Sequence, residues 1–210
     1  MVHQLLYIPN IIGYVRALFM VLSWNEAFRD PNKFILYYAI SYTLDMADGL
    51  AARTFNQCTK FGAVLDMVLD RVTTASLFAI LSNLYQEHAV YFLGFLGLDL
   101  ASHWLQVVTT YAKGNESHKG DDESESAIVK IYYKSRIVLS SICACAEYFG
   151  CAFYVMAHSS TSWMLEPLIM QYLFYISIAG FAYKQFINIM QIKTSTLRLV
   201  HLDLEDKKDK

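Results

Sequence analysis

Six stretches of this chain are long, apolar and nearly free of charge, and no other feature restricts its fold so severely. Residues 167–183 contain no charged side chain, and residues 137–157 contain only Glu147. Further stretches run over residues 5–24, 34–52, 61–84 and 90–112. Each comes close to the ~20 residues that carry a helix through bilayer hydrocarbon. Six helices apolar around most of their circumference are more than a chain of 210 residues can bury in its own core. The expected fold is therefore all-α, a polytopic membrane protein with six transmembrane helices. Composition agrees. Charged residues make up 17% and mean hydropathy is +0.30, where a soluble domain carries about 25% charged residues. A net charge of -2 provides no basic excess for nucleic acid, and no long polar tract marks a disordered chain.

Polar segments punctuate the spans. Residues 25–33 contain Asp30-Pro31-Asn32, a turn signal. Residues 54–60 form a short polar link. Residues 113–130 form the longest polar stretch, with an acidic run at 120–126. The expected division is a membrane domain over residues 1–195 and a polar cytosolic tail over 196–210. Residues 1–6 lack a basic region and a small-residue cleavage site, so the first apolar stretch is expected to be retained as a helix. Cys58, Cys143, Cys145 and Cys151 lack metal-site spacing and are expected to be small buried hydrophobes.

Chemistry begins where ionisable groups enter the apolar stretches, because each is expensive there. Asp45 and Asp48 lie three residues apart on the second stretch, and Asp66 and Asp70 four apart on the third. Each pair shares a helix face. The link is short, so the two helices are expected to be antiparallel neighbours. Asp48 is six residues before Thr54 and Asp66 six after Lys60, which puts both about 9 Å from the link, with Asp45 and Asp70 at about 13–15 Å. Four carboxylates at matched depths require positive charge. An all-oxygen set suits hard divalent cations, Mg²⁺ or Mn²⁺. Gly49, Ala52 and Gly62 on these faces allow close backbone approach, and Arg53 at the helix end can pair with phosphate. Together they describe a site for a nucleotide diphosphate.

Read continuously, D-M-A-D-G-L-A-A-R, eight residues, then G-A-V-L-D-M-V-L-D resembles the signature of the CDP-alcohol phosphatidyltransferase family. Asp45, Asp48, Gly49, Ala52, Arg53, Gly62, Asp66 and Asp70 occupy its fixed positions. The resemblance implies a six-helix membrane enzyme, usually a homodimer, that uses a divalent metal to displace CMP from a CDP-linked lipid. By position it implies Asp45, Asp48 and Asp66 as metal ligands and Asp70 as general base, also near the metal. Gly49, Ala52, Arg53, Thr59 and Gly62 become contacts to CDP-diacylglycerol. P-N-I-I-G-Y-V-R at 9–16, D-L-A-S-H-W at 99–104, E-S-H-K at 116–119 and I-Y-Y-K-S-R at 131–136 are similar to the branch of the family in eukaryotes whose acceptor is myo-inositol. Motifs carry the resemblance over residues 9–136; the last two helices match in length and apolar character alone.

The residues of these extra motifs allow more than one role. His103 stands four residues after Asp99, so it either orients through an intrahelical hydrogen bond or binds inositol. Lys119 and Arg136 flank the long polar stretch and either line the acceptor pocket or mark the membrane surface. No nucleophilic serine, cysteine or histidine stands beside the aspartates on their helices, which favours direct displacement over a covalent intermediate. Other family members use glycerol phosphate or serine as acceptor. From another class, a cation transporter explains the carboxylates but not Gly49, Ala52 and Arg53, and a non-catalytic membrane scaffold has no use for a full acidic set. Lys207-Lys208-Asp209-Lys210 looks like a dilysine retrieval signal. Together with Arg53 and Lys60 beside the link, it points to an endoplasmic-reticulum protein whose termini and site face the cytosol.

Overall fold

The computed structural model describes residues 2–112, 136–158 and 168–208. Every regular element among them is helical: α1 Val2–Leu5, α2 Ile8–Glu26, α3 Pro31–Thr54, α4 Lys60–Leu84, α5 Ala89–Ala112, α6 Arg136–Met156 and α7 Leu168–Lys208, with a 3-10 turn, Gln86–His88, between α4 and α5. The six long helices correspond to the six apolar stretches. The acidic run at 120–126 lies outside the described residues.

Local chemistry sets the helix ends that matter for the site. Asp30 caps α3 by accepting the backbone N–H groups of Asn32 and Lys33, each at 3.1 Å, and Pro31 occupies the first turn where its missing N–H costs nothing. The bond from the Lys33 N–H holds the Asp30 carboxyl below the usual carboxylate range. At the other end Asn56 adopts a left-handed conformation, φ 52. Gln57 N–H then reaches the Ala52 carbonyl at 2.9 Å and Asn56 N–H the Arg53 carbonyl at 3.4 Å, the paired closure of a Schellman motif. Thr59 restarts the chain as the N-cap of α4, its hydroxyl accepting Gly62 N–H at 3.0 Å. The link therefore reverses the chain tightly, and α3 and α4 leave it side by side. Gln57 Oε1 also accepts Ile8 N–H at 2.9 Å, so α2 begins at the same level.

The distribution of polarity is inverted relative to a soluble protein. Val90 is 71% exposed and Trp104 70%, whereas Arg16 is 3% and Asp99 2%. Surfaces of this kind suit hydrocarbon surroundings. Among the described residues one helix, over Val138–Met156, is long and apolar enough to cross a membrane on hydropathy alone, with a mean of 1.5. The other long helices carry charges that lower their averages, among them the buried Arg16, Asp48, Asp99 and Lys184. α2 packs along α3, and α7 packs against both α5 and α6. The aromatic centre includes Phe149 stacked on Phe181 at 4.1 Å and Phe34 against Tyr154 at 4.0 Å.

One helix is longer than its apolar stretch, and one expectation changes. α7 has 41 residues, which gives a length of about 62 Å, twice the hydrocarbon thickness. The expected boundary at 195/196 thus falls inside a continuous helix, because no proline or glycine interrupts residues 184–208. Cys58 is exposed rather than buried, since it sits on the link outside the helix pair; Cys143, Cys145 and Cys151 are partly buried on α6.

Close helix contact depends on Gly180. A Cβ there would lie 2.5 Å from the Cys145 Cβ and 2.9 Å from its sulfur, whereas one at Gly97 would meet nothing within 4 Å. Gly180→Ala is expected to destabilise the detergent-purified protein by about 1–3 kcal/mol through overpacking. Gly97→Ala should cause no loss. Thermal unfolding of the two variants checks the contrast.

Candidate active site

Helices that leave one short link together bring side chains equally far from it into register. Asp45 and Asp48 on α3 thus face Asp66 and Asp70 on α4. At their centre is Arg16 of α2, eight residues from the helix start that Gln57 holds, a rise of about 12 Å. Arg16 Nη1 contacts Asp48 at 2.7 Å and Asp66 at 2.8 Å. Its Nη2 contacts Asp45 at 2.6 Å and Asp70 at 2.7 Å. The shallower carboxylates share one nitrogen and the deeper ones the other. Ser41 on α3 donates its hydroxyl to the Arg16 carbonyl at 3.2 Å, which further ties α2 to α3.

The sequence argument demanded a positive charge here but did not identify Arg16. Its signal was present: it is the lone cation in the apolar stretch 5–24. Gly13, one turn earlier, admits the contact between α2 and α4, because a Cβ there would come within 3.1 Å of Leu65.

A cavity of about 140 Å³ opens on the link side of the aspartates. Gly49, Ala52, Thr59 and Gly62 line it together with Asp48 and Asp66. Gly62 leaves little room for a side chain: a Cβ would stand 3.0 Å from Asn10 Oδ1 and 3.1 Å from Thr59 Oγ1. Asn10 is itself held, donating to the Gln4 carbonyl at 2.7 Å. Arg53 is exposed at the end of α3, with its guanidinium about 3.5 Å from where a Gly49 Cβ would stand.

A second cavity, of about 470 Å³, lies beside Asp45 and Asp70. Arg71, Thr74, Glu147 and Lys184 line it. Arg71 Nη1 holds Asp99 at 2.9 and 3.0 Å, and Arg71 Nη2 is 3.8 Å from Asp70. Lys184 Nζ is 3.7 Å from Asp99. His103 lines neither cavity; its ring Nδ1 donates to the Asp99 carbonyl at 2.9 Å, the intrahelical arrangement. Lys119 lies outside the described residues. Arg136 begins α6, and its side chain is likewise outside them.

One oxygen each from Asp45, Asp48 and Asp66 come within 4.8 Å of one another. Three carboxylate oxygens so placed fit a hard divalent cation. Asp70 stands beside this group on Arg16 Nη2.

The family description "CDP-alcohol phosphatidyltransferase" matches residues 6–179. The chain is 38% identical to "Probable CDP-diacylglycerol--inositol 3-phosphatidyltransferase 2" of Arabidopsis thaliana, over 98% of this chain and 94% of that protein. It is 38% identical to the "CDP-diacylglycerol--inositol 3-phosphatidyltransferase" of Saccharomyces cerevisiae, over 99% and 92%. The Homo sapiens protein of that name is 34% identical, over 98% and 96%. No solved structure matches. The chain belongs to the CDP-alcohol phosphatidyltransferase family. Members of this family are membrane-embedded and use divalent metal ions. The family match extends past the recognisable motifs into α7.

Removing Arg16 leaves four aspartates facing one another across α3 and α4. Arg16→Met in chelator-containing buffer is expected to cost roughly 3–5 kcal/mol of stability, as when one partner of a buried ion pair is lost. A divalent salt should restore part of that loss, because the carboxylates then share another cation. Unfolding midpoints of wild type and variant, with chelator and with excess Mg²⁺, decide the matter. Equal midpoints in chelator would remove Arg16 from its stabilising role.

Proposed function

We propose that this protein transfers the phosphatidyl group of CDP-diacylglycerol to myo-inositol, forming phosphatidylinositol and releasing CMP. The observation that carries this reading is the convergence of Asp45, Asp48, Asp66 and Asp70 between two cavities, in a chain similar over nearly its full length to enzymes named for that reaction. One cavity, at the link, accepts the nucleotide. The other, beside Asp70, accepts the alcohol.

Asp45, Asp48 and Asp66 would hold the divalent ion, Mg²⁺ or Mn²⁺, with Asp70 close by. When bound, such an ion supplies Lewis acidity to the pyrophosphate. Gly49, Ala52, Thr59 and Gly62 give the cytidine and phosphates close access to backbone. Arg53, at the cavity rim, pairs with a phosphate oxygen. Asp70 accepts the proton of an inositol hydroxyl as its oxygen attacks the lipid-side phosphorus. The bond from that phosphorus to the CMP oxygen breaks, and the phosphatidyl group stays with inositol. Lys119 and Arg136 are carried by their sequence motifs alone as contacts to inositol, while His103 acts through Asp99, which holds Arg71.

The lipid remains in the bilayer. An apolar groove of about 430 Å³ between α3, α6 and α7 shares Tyr42, Ala144 and Glu147 with the acceptor cavity, and suits an acyl chain. Exposed apolar helix faces supply the surface for surrounding lipid and for a homodimer. The proposed location is the endoplasmic-reticulum membrane, with termini and link facing the cytosol. Arg53 and Lys60 beside the link agree with the positive-inside rule.

A panel of radiolabelled inositol, serine and glycerol phosphate with CDP-diacylglycerol tests the reaction on purified protein. Lipid product is expected from inositol, with CMP release that depends on Mg²⁺ or Mn²⁺. Product from another acceptor alone would reject the inositol reading. Asp70→Asn is expected to lower kcat about 10²–10⁴-fold, the contribution of a positioned general base, and to leave the unfolding midpoint near that of wild type. Wild-type turnover by this variant would remove Asp70 as the base. Orientation is tested by protease treatment of sealed microsomes. A C-terminal epitope is expected to be digested without detergent, and protection until detergent is added would place it in the lumen.

A further inference from the structure

Glu147 is the only Asp, Glu, Lys, Arg or His in the apolar span Val138–Met156. A carboxylate near the middle of a spanning helix is expensive and needs a role. Its two oxygens are engaged by hydroxyls. Tyr38 on α3 donates to Oε2, and Thr74 on α4 donates to Oε1 at 2.7 Å. Neither partner is a cation. Each carboxylate oxygen keeps further acceptor capacity, and Glu147 lines the cavity beside Asp45 and Asp70.

The cations of that cavity are already committed among the described residues. Arg16 binds the four aspartates. Arg71 and Lys184 both face Asp99. Ser140 and Ser141 add further hydroxyls to the wall. An acceptor bearing phosphate or carboxylate would meet the Glu147 carboxylate at this end of the cavity, where both of its hydrogen-bond partners are neutral hydroxyls. A neutral polyol would instead donate its hydroxyl hydrogens to the carboxylate. Register supports the fit. Thr74 follows Asp70 by four residues, so the carboxylate it holds lies about one turn deeper, some 5.4 Å. A six-membered polyol ring can bridge that step, with its reacting hydroxyl at Asp70 and its far edge at Glu147.

We propose that Glu147, oriented by Tyr38 and Thr74, binds the hydroxyls of the acceptor and restricts this cavity to a neutral polyol. The proposal rests on the inositol-transfer reading above and adds to it the group that recognises the acceptor.

The test measures initial rates and equilibrium binding of radiolabelled inositol on the purified full chain, with CDP-diacylglycerol and Mg²⁺ for the rates. Glu147→Gln keeps the side-chain volume and removes the charge. It is expected to raise the inositol KM and Kd by about 10–100-fold, the scale of hydrogen bonds to a charged acceptor, with the CDP-diacylglycerol KM within about twofold. Thr74→Val leaves the carboxylate in place but frees it to turn, and should raise the inositol KM several-fold. Deoxyinositols identify the contact directly. One missing the recognised hydroxyl should bind wild type weakly and lose little more in Glu147→Gln. An inositol KM unchanged in both variants, or equal increases for both substrates, overturns the proposal. If Glu147→Gln does not fold, Thr74→Val and the deoxyinositol series on wild type decide it: no deoxyinositol discrimination and no KM change overturn it. Wild-type protein that uses a different acceptor and not inositol overturns the underlying reading instead.

Discussion

The charge on Arg16 binds three helices into one site. It is the shared partner of Asp45, Asp48, Asp66 and Asp70, and it comes from a helix that supplies none of them. In hydrocarbon each unpaired charge would cost about 3 kcal/mol on insertion scales. Five such charges left unpaired on three helices would make the spans unstable, whereas a single cluster satisfies them together. The tight packing of α2 on α3, the glycine at position 13 and the bond from Ser41 to the Arg16 carbonyl serve that cluster by fixing the distance between helices.

Two compartments follow from this centre. The link side is built from small residues and capped helix ends, with Thr59 closing α4 and Gly62 admitting Asn10. The inner side is built from longer polar side chains, with Arg71 braced by Asp99 and Glu147 held by two hydroxyls. The aspartates stand on the boundary, so in the proposed reaction a phosphate between them would face the nucleotide on one side and the alcohol on the other. A direct displacement needs that arrangement of attacking and leaving groups.

The aspartates could be placed from the sequence because both pairs lie on neighbouring helices joined by five residues, where counting along the chain converts directly to depth. Helix type and number were legible for a similar reason, since the lack of charge over some twenty residues leaves few alternatives. Arg16 escaped the count because its helix reaches the site from another direction. Its relation to Asp70 depends on where Gln57 fixes the start of α2, a contact that no local pattern encodes. The neutral partners of Glu147 were hidden likewise, one on α3 and one on α4. The length of α7 could not be read from the apolar pattern, because its uncharged stretch ends at residue 183 and its last part is polar. Outside the bilayer, a polar helix without proline or glycine simply continues.

The position of Arg16 has a consequence for biosynthesis. Translation delivers the cation first, on α2, while all four of its counter-charges are still unmade. Asp45 and Asp48 emerge with α3, and Asp66 and Asp70 follow only with α4. On insertion scales an unpartnered guanidinium in lipid would cost about 3 kcal/mol, a cost that the first three long helices would avoid by entering the membrane together.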